Sequence, residues 1–467
     1  MDAEHRTKLL DLLGPERCLL DLADRLPYAT DASHFQHRPE AVLLPETAQE
    51  VSAIMALANR HACPVTPRGA GSGVTGGAVP APGGMIMSLD RMHRVLAIEP
   101  DNFLAVVQPC VVTAELNAAT EPFGLFFAPD PASAGFSTIG GNIAENAGGM
   151  RAVKYGVTKH SILGLEVVLP SGEIIRTGSK CLKDVVGYGL TELFVGSEGT
   201  LGVITEATCR LLPLPEDKGL TVASFPDMDT AAKAVLAVLR AVQPSALEFM
   251  DACCLEALRP QMKQGNMPGI PADAGAQLLI EVDGDAEEVR RKTDMVAALC
   301  REHGAAAVEA AQDPARCDVL WRARRSLHNA LIAFCPHWRE EDVSVPVGRV
   351  PDLLRALEDL GRELDLRMAC FGHFGDGNIH LNVTGNAGPL AEKDPAIDRV
   401  YATVAALEGR IASEHGVGLA KAEYVGWNLD PAVVALMRSM KRLLDPNGIL
   451  NPGKCFPQEP DPGPAAP

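Results

Sequence analysis

Apolar residues recur every three or four positions from Val51 to Ala58, directly after Thr47 and Glu50. A Thr followed three residues later by Glu is a capping box, so the pattern predicts a helix over about 48–61. Apolar runs between glycine-rich turns predict strands after this helix, at Pro64–Pro67, Met85–Leu89, Leu104–Pro109 and Leu163–Leu169. The first half of the chain therefore has an α+β pattern.

The order of elements changes after "LLPLPEDKG" at Leu211–Gly219, where prolines and charged residues end a strand. Beyond it, strand-like runs at 245–251 and 277–284 alternate with helical patterns over about 228–241 and 286–302. This alternation predicts a ferredoxin-like antiparallel sheet with helices on one face. Long helices are also expected, over about 314–334, 395–414 and 430–446.

The composition is that of a globular protein with room for two or three domains, with 467 residues, 47% hydrophobic and 22% charged. The net charge of −18 argues against nucleic acid or an anionic membrane as a partner. No apolar run approaches the roughly 20 residues of a membrane span, and the N-terminus lacks a signal-peptide pattern. We expect a cytoplasmic protein, with peripheral attachment to a membrane through a partner as an open alternative.

The twelve cysteines are scattered along the chain and none forms a C-x-x-C pair. The sequence therefore has neither the cysteine spacing of an iron–sulfur cluster nor that of a thiolate zinc site. We expect reduced thiols, most of them buried. If electrons leave through an iron–sulfur centre, that centre belongs to another protein.

The stretch "PVTPRGAGSGVTGGAVP", Pro64–Pro80, contains the G-x-G-x-x-G spacing of a Rossmann turn at Gly71, Gly73 and Gly76. A Rossmann turn opens a helix whose N-terminus faces a pyrophosphate. Here "GAVPAPGG" follows, and its prolines and glycines cannot propagate a helix. The sequence therefore argues against a nicotinamide enzyme, although the glycine loop can form an anion-binding nest.

Two further glycine-rich loops lie in the same half, in "SAGFSTIGGNIAENAGG" at Ser133–Gly149 and "LFVGSEGTLGVITEATCRLLP" at Leu193–Pro213. Three such loops imply an extended ligand held against backbone. Together they resemble the FAD-binding domain of the vanillyl-alcohol oxidase / p-cresol methylhydroxylase (PCMH) superfamily, in its glycolate oxidase and D-lactate dehydrogenase branch. The resemblance spans about residues 30–455, and it implies FAD contacts at Arg68, Gly69, Gly71, Ser72, Gly73, Thr75, Gly76, Gly140, Asn142, Asn146, Gly148 and Ile204.

The resemblance also implies how FAD is attached and how the domains are arranged. Loops Arg68–Gly77 and Gly135–Gly149 contain no His or Cys, so we expect non-covalent FAD, and one departure from the family is Gly189, where members commonly carry Asp. The expected domains are an N-terminal helical segment (1–35), a two-subdomain PCMH-type FAD-binding domain (36–215), a ferredoxin-like antiparallel-sheet substrate (cap) domain (216–415), a C-terminal helical segment returning to the FAD domain (416–456) and a disordered tail (457–467).

In the second half, "GHFGDGNIHLNV" places His373 and His380 on either side of a glycine-rich turn, and "ASEHGVGLAK" adds Glu414 and His415. Two imidazoles and a carboxylate suit zinc, with manganese or iron as alternatives. For either histidine considered alone, a structural role is the alternative to metal binding. By resemblance, His373, His380 and Glu414 are the metal ligands, Asn382 is a substrate-side residue and His415 is the base that deprotonates a 2-hydroxy acid.

An anionic substrate also needs a cation, and "LWRARRSLHNAL" offers Arg322, Arg324 and Arg325. The resemblance selects Arg324 for the substrate carboxylate; a solvated basic face is the alternative for the others. In "HWREEDVSVP", Glu340 and Glu341 should repel a second carboxylate, which favours D-lactate or glycolate over D-2-hydroxyglutarate.

The resemblance leaves several points open. A D-2-hydroxyglutarate dehydrogenase, a metal-dependent hydrolase and a non-catalytic FAD-binding subunit remain alternatives. The electron acceptor is also open between an iron–sulfur subunit, an electron-transfer flavoprotein and a quinone, and a homodimer is a further open expectation.

Overall fold

The computed structural model describes residues 1–262, 270–335, 337–386, 388, 390 and 394–457. The chain divides into two compact units, and neither is continuous in sequence. The first unit contains residues 1–148, 156–214 and 414–467, and the second contains residues 149–155 and 215–413. Beyond Pro457, the predicted tail lies outside the described residues. None of the helices in the described ranges has the length and apolar character needed to cross a bilayer.

The structure has both helices and strands, as the α+β prediction requires. The α-helices are α1 Ala3–Leu13, α2 Leu22–Arg25, α3 Ala48–Arg60, α4 Thr113–Thr120, α5 Ile139–Glu145, α6 Ala152–Tyr155, α7 Leu190–Phe194, α8 Met228–Ala241, α9 Ala252–Met262, α10 Ala286–Glu302, α11 Pro314–Phe334, α12 Val350–Glu363, α13 Pro395–Ala406, α14 Val425–Asn428 and α15 Pro431–Leu444. The strands are β1 Cys18–Leu19, β2 Val42–Leu43, β3 Val65–Arg68, β4 Met85–Ser88, β5 Val95–Glu99, β6 Leu104–Val107, β7 Leu125–Phe126, β8 Ile162–Val168, β9 Ile174–Gly178, β10 Val203–Arg210, β11 Leu212–Pro213, β12 Asp217–Phe225, β13 Ala246–Asp251, β14 Ala276–Gly284, β15 Ala307–Ala311, β16 Arg339–Ser344, β17 Leu366–His373 and β18 Asn378–Gly385.

The first unit contains two main sheets, each with its own hydrophobic core. A four-stranded sheet has the order β1-β2-β4-β3, and its core includes apolar residues of α1 and α3. A five-stranded antiparallel sheet has the order β5-β6-β10-β8-β9, and its core includes residues of α4 and α5. The C-terminal segment returns to the first sheet, where Val65 exchanges backbone hydrogen bonds with Ile449 and Asn451. Two sheets with separate cores agree with the predicted two-subdomain architecture.

The second unit is built on a seven-stranded antiparallel sheet of order β15-β12-β14-β13-β17-β18-β16. Helices α9 and α11 pack on one face, against Leu220, Leu279 and Phe371. Helix α10 packs on the other face, where Gly219 leaves room for Thr293. The expectation of helices on one face is therefore wrong, because both faces of the sheet carry apolar residues that need cover.

Two sequence-based boundaries differ from the structure. Residues 149–155, predicted within the first domain, group with the second unit because Arg151 bonds Glu281 and the Tyr155 hydroxyl donates to Asp283 at 2.6 Å. Helix α13 ends at Ala406 instead of continuing to residue 414. The chain turns there because Glu408 adopts a left-handed conformation, with φ of 62°.

Candidate functional site

The three glycine loops of the first unit meet around the N-terminus and C-terminus of α5. Thr138 caps α5, and a side chain at Gly69 would overlap its hydroxyl. At the other end, Gly196 and Glu198 of the third loop donate backbone N–H groups to carbonyls of α5 at 2.8 Å. The structure therefore brings the three predicted loops together.

Two glycines in these loops leave no room for a side chain in the present structure. Gly71 has φ of 68°, and a Cβ on it would overlap the Arg68 guanidinium. A Cβ on Gly140 would lie 2.6 Å from Cβ of Pro109. The absence of a side chain at these two positions thus lets Arg68 and Pro109 pack directly against the loop backbone.

The predicted FAD-contacting residues have different structural roles in and around the three glycine loops. Arg68 ends β3 and donates to the Thr30 carbonyl at 2.7 Å, and burial lowers the pKa of its guanidinium. Thr75 donates its hydroxyl to the His415 carbonyl at 3.2 Å. Asn142 is buried and donates to Thr113.

The remaining predicted residues are placed by backbone geometry. Asn146 ends α5 in a left-handed conformation and accepts a hydrogen bond from the Lys159 N–H. Gly148 lies against Glu414, whose Oε2 would be 2.8 Å from a Cβ at that position. Ile204 is buried in β10, and Ser72, Gly73 and Gly76 lie in the first loop. Gly189, the departure from the family pattern, precedes α7 and is exposed.

In the second unit, β17 and β18 form a hairpin that places the two predicted histidines face to face. His373 ends β17 opposite Asn378, and His380 lies opposite Phe371. The two Nε2 atoms are 3.4 Å apart. Two nitrogens about 2.0–2.1 Å from one tetrahedral zinc ion lie about 3.4 Å from each other, so the pair has the spacing of two ligands.

A carboxylate lies beside the other nitrogen of each imidazole. Glu248 of β13 contacts Nδ1 of His373 at 2.5 Å, and Asp342 of β16 lies 3.5 Å from Nδ1 of His380. Asn378 donates its amide to Asp342 at 2.6 Å. Carboxylates in this position fix the ring orientation of metal-binding histidines, and thereby direct Nε2 toward an ion.

Glu248 and Asp342 were not predicted from the sequence. Glu248 is fully buried and also accepts a hydrogen bond from Nε of Arg324 at 2.8 Å. Burial opposes its charge, but His373 and Arg324 outweigh burial and hold the pKa of Glu248 below its usual value. A carboxylate inside the apolar strand "SALEFMD" was the available signal, since buried acids are retained only with partners.

Arg324 and Asn382 lie on the same face of the sheet as the histidines. Arg324 projects from α11 and stacks on Phe371, with 4.9 Å between its Cζ atom and the ring centre. Asn382 is two residues beyond His380 in β18, so both side chains point to one face. The predicted residues Arg324, Asn382, His373 and His380 are therefore brought together by the sheet and α11.

Glu414 and His415 open the last segment of the first unit. The residue before them, Ser413, donates its backbone N–H to Asp342 at 2.8 Å within the second unit. The backbone immediately before Glu414 is therefore hydrogen-bonded to Asp342, the carboxylate that faces His380.

The two acids expected to limit substrate size lie on opposite faces of β16. Glu341 is buried and bonded to Arg339 and Tyr401. Glu340 is the register partner of Asn382, and it forms an ion pair with His328 at 3.3 Å. Of these two acids, only Glu340 therefore lies on the same face as the histidines.

Glu248→Gln tests the predicted metal site: it should weaken metal binding there by about 10–100-fold, because the amide cannot hold His373 and Arg324 as the carboxylate does. Competition with a chelating dye measures this affinity. Glu256→Gln is the matched control, since Glu256 is an exposed acid in the same unit. Equal metal affinity in the two variants would contradict the role of Glu248.

Comparison with solved structures establishes the class of fold. The chain is similar to p-cresol methylhydroxylase with substrate bound, with a TM-score of 0.75 at 17% identity, covering 97% of this chain and 96% of that one. It is also similar to 4-ethylphenol oxidase from Gulosibacter chungangensis, with a TM-score of 0.73 at 20% identity, over 98% and 97% of the two chains. The predicted PCMH-type fold is confirmed.

Sequence comparison establishes the family. An FAD binding domain matches residues 39–178, and the C-terminal domain of FAD linked oxidases matches residues 214–455. Glycolate oxidase subunit GlcD of Bacillus subtilis is 40% identical, over 97% of both chains. D-lactate dehydrogenase of Anaerostipes hadrus is 36% identical, over 95% of this chain and 96% of the relative. D-2-hydroxyglutarate dehydrogenase of Stutzerimonas stutzeri is 34% identical, over 96% and 98%. The chain belongs to the family of FAD-linked oxidases, as predicted, and FAD is its cofactor.

The first unit fits this cofactor. Its three loops present backbone in place of side chains, and a buried oxygen of Glu145 lacks a hydrogen-bond partner among the described residues. Glycine-rich loops of this kind can form the backbone nests that bind a pyrophosphate.

Proposed function

We propose that this protein oxidises a small 2-hydroxy acid, D-lactate or glycolate, to the 2-oxo acid, with non-covalent FAD and a divalent metal ion. The observation that carries the metal assignment is the His373–His380 pair, whose Nε2 atoms have ligand spacing and whose other nitrogens lie beside carboxylates. Glu414 completes the proposed ligand set, with zinc as the preferred ion and manganese or iron as alternatives.

Oxidation of a 2-hydroxy acid removes the hydroxyl proton and a hydride from C2. When bound, FAD supplies the hydride acceptor and the metal supplies a Lewis acid for the hydroxyl oxygen. His415 is proposed to take the hydroxyl proton as general base. Arg324 is proposed to bind the substrate carboxylate through its Nη atoms, which form no hydrogen bond to a residue in the described part of the second unit, and Asn382 to position the substrate.

Glu340 supports a monocarboxylate substrate. Its charge lies on the histidine-bearing face of the sheet, where a second substrate carboxylate would be repelled. The names of the relatives cover glycolate, D-lactate and D-2-hydroxyglutarate, so the choice among these substrates depends on the charge of Glu340. Because the Bacillus relative is named a subunit, an acceptor on a partner chain is the favoured route for the electrons.

Anaerobic flavin reduction tests the substrate assignment. Glycolate or D-lactate should reduce the flavin at least about tenfold more efficiently than D-2-hydroxyglutarate, a difference of about 1.4 kcal/mol. Glu340→Gln should narrow this ratio, whereas Glu358→Gln, an exposed acid on α12, should leave it unchanged. A preference for the diacid in the unmodified protein would identify a D-2-hydroxyglutarate dehydrogenase instead, and a flavin that no hydroxy acid reduces would favour a hydrolase or a non-catalytic subunit.

A further inference from the structure

Glu145, the last residue of α5, packs its carboxyl group against three glycines. A Cβ on Gly77 would lie 3.0 Å from its Oε1 atom, and one on Gly73 would lie 3.9 Å from the same atom. On the other side, a Cβ on Gly416 would overlap Oε2. The carboxyl group therefore lies between the first glycine loop and the segment that follows His415.

A second carboxyl group lies beside it. The carboxyl carbon of Glu198 is 3.5 Å from the position that a Cβ on Gly416 would take, the same position that Oε2 of Glu145 overlaps. The Glu198 oxygens accept backbone N–H groups of Val417 and Gly418 at 2.8 and 2.7 Å. Burial raises the pKa of Glu198, but these two donors oppose burial and favour the charged form of its carboxyl group.

Glu145 has no comparable support. Its Oε2 atom is buried and has no hydrogen-bond partner among the described residues. Burial, Glu198 and Asp31 together raise the pKa of Glu145 well above its usual value. Because two adjacent buried carboxyl groups cannot both ionise at low cost, and Glu198 holds the donors, the proton belongs on Glu145.

Besides Asp31, titratable groups of the C-terminal segment lie near this pair. The Cys455 thiol keeps its proton, since burial, Glu198 and Glu145 all raise its pKa. Lys454 donates to the Val79 carbonyl at 2.7 Å, and burial lowers its pKa to about 8. Lys454 therefore titrates in its own right and has to be separated from Glu145 in any test.

We propose that Glu145 is a neutral carboxylic acid that donates its O–H to an acceptor oxygen of FAD, and so positions the cofactor and links its retention to pH. A protonated carboxyl group needs an acceptor, and FAD brings phosphate and carbonyl oxygens to the glycine loops that wall Glu145. When Glu145 loses its proton, an anion faces an acceptor and FAD binding weakens. Glu145 is thus a positioning residue for the cofactor.

The test is the pH dependence of FAD binding to the apoprotein, followed by quenching of flavin fluorescence. Because binding requires a neutral Glu145, the dissociation constant for FAD should rise by about tenfold per pH unit at pH values above the pKa of Glu145 in the unmodified protein. Glu145→Gln, which is neutral at every pH, should lose this part of the slope and keep only the part due to Lys454. Glu115→Gln, an exposed acid on α4, should retain the full slope.

A Glu145→Gln variant with the same slope as the unmodified protein would overturn the proposal. Thermal unfolding of the apoproteins shows whether the variant is folded. Infrared difference spectra give an independent measurement. The band of a protonated carboxylic acid should be present in the unmodified protein, should shift on addition of FAD and should be missing in Glu145→Gln. A band that does not shift on addition of FAD would also overturn the proposal. Neither measurement uses a hydroxy acid, so failure here is distinguishable from failure of the proposed reaction.

Discussion

His380→Ala is expected to lose its bound metal and its turnover while FAD stays bound. The substitution removes one of two Nε2 atoms that lie 3.4 Å apart, and leaves Asp342 without the imidazole it faces. A metal that polarises a substrate oxygen contributes several kcal/mol, so the rate should fall by roughly three orders of magnitude. Elemental analysis of the purified protein and anaerobic flavin reduction measure the two effects.

His303→Ala is the matched control for this experiment. His303 caps the C-terminus of α10, on the face of the sheet opposite to the histidine pair, so metal and rate should be unaffected. A His380→Ala variant that keeps full activity without metal would refute the metal assignment.

His415→Gln is expected to retain both metal and FAD but to slow flavin reduction by about 10²–10⁴-fold, which is the usual contribution of a general base. The substitution leaves intact the backbone carbonyl of residue 415, which accepts a hydrogen bond from the hydroxyl of Thr75. The arrangement of the glycine loops should therefore be unchanged. Stopped-flow reduction with saturating substrate separates this effect from weaker binding.

His93→Gln serves as the control for His415, because His93 is exposed in the same unit and bonds only locally to the Asp90 carbonyl. Unchanged reduction rates in His415→Gln would remove His415 from the reaction and leave the base unidentified.

Local patterns in the sequence predicted many elements closely. The helix expected over 286–302 is α10, capped by Asp285, and the capping box at Thr47 opens α3. The prolines after Gly76 correctly excluded a helix, since the chain there forms turns. Such signals depend on residues a few positions apart, and for that reason they can be interpreted without knowledge of the fold.

The carboxylates beside the histidines could not be predicted in this way. Glu248 meets His373 across 125 positions of sequence, because β13 pairs with β17 in the sheet. Asp342 meets His380 because β16 pairs with β18. Strand order is set by long-range packing, so periodicity alone cannot show which acid faces which imidazole.

The position of Glu145 was hidden for a related reason. In sequence it is a charged residue at the end of a short glycine-rich helix, a position that is commonly solvated. Its buried Oε2 atom lies against Gly416, which is far from it along the chain.

The discontinuity of the first unit has a consequence for synthesis on the ribosome. Residues 215–413 are made before the last segment, yet Val65 is bonded to Ile449 and Asn451, and Lys454 to Val79. The nascent chain can complete the second unit while the first still lacks its closing segment. A premature stop codon after residue 413 would spare the sequence of the second unit and leave the FAD-binding unit with unpaired backbone at β3, exposed to chaperones and proteases.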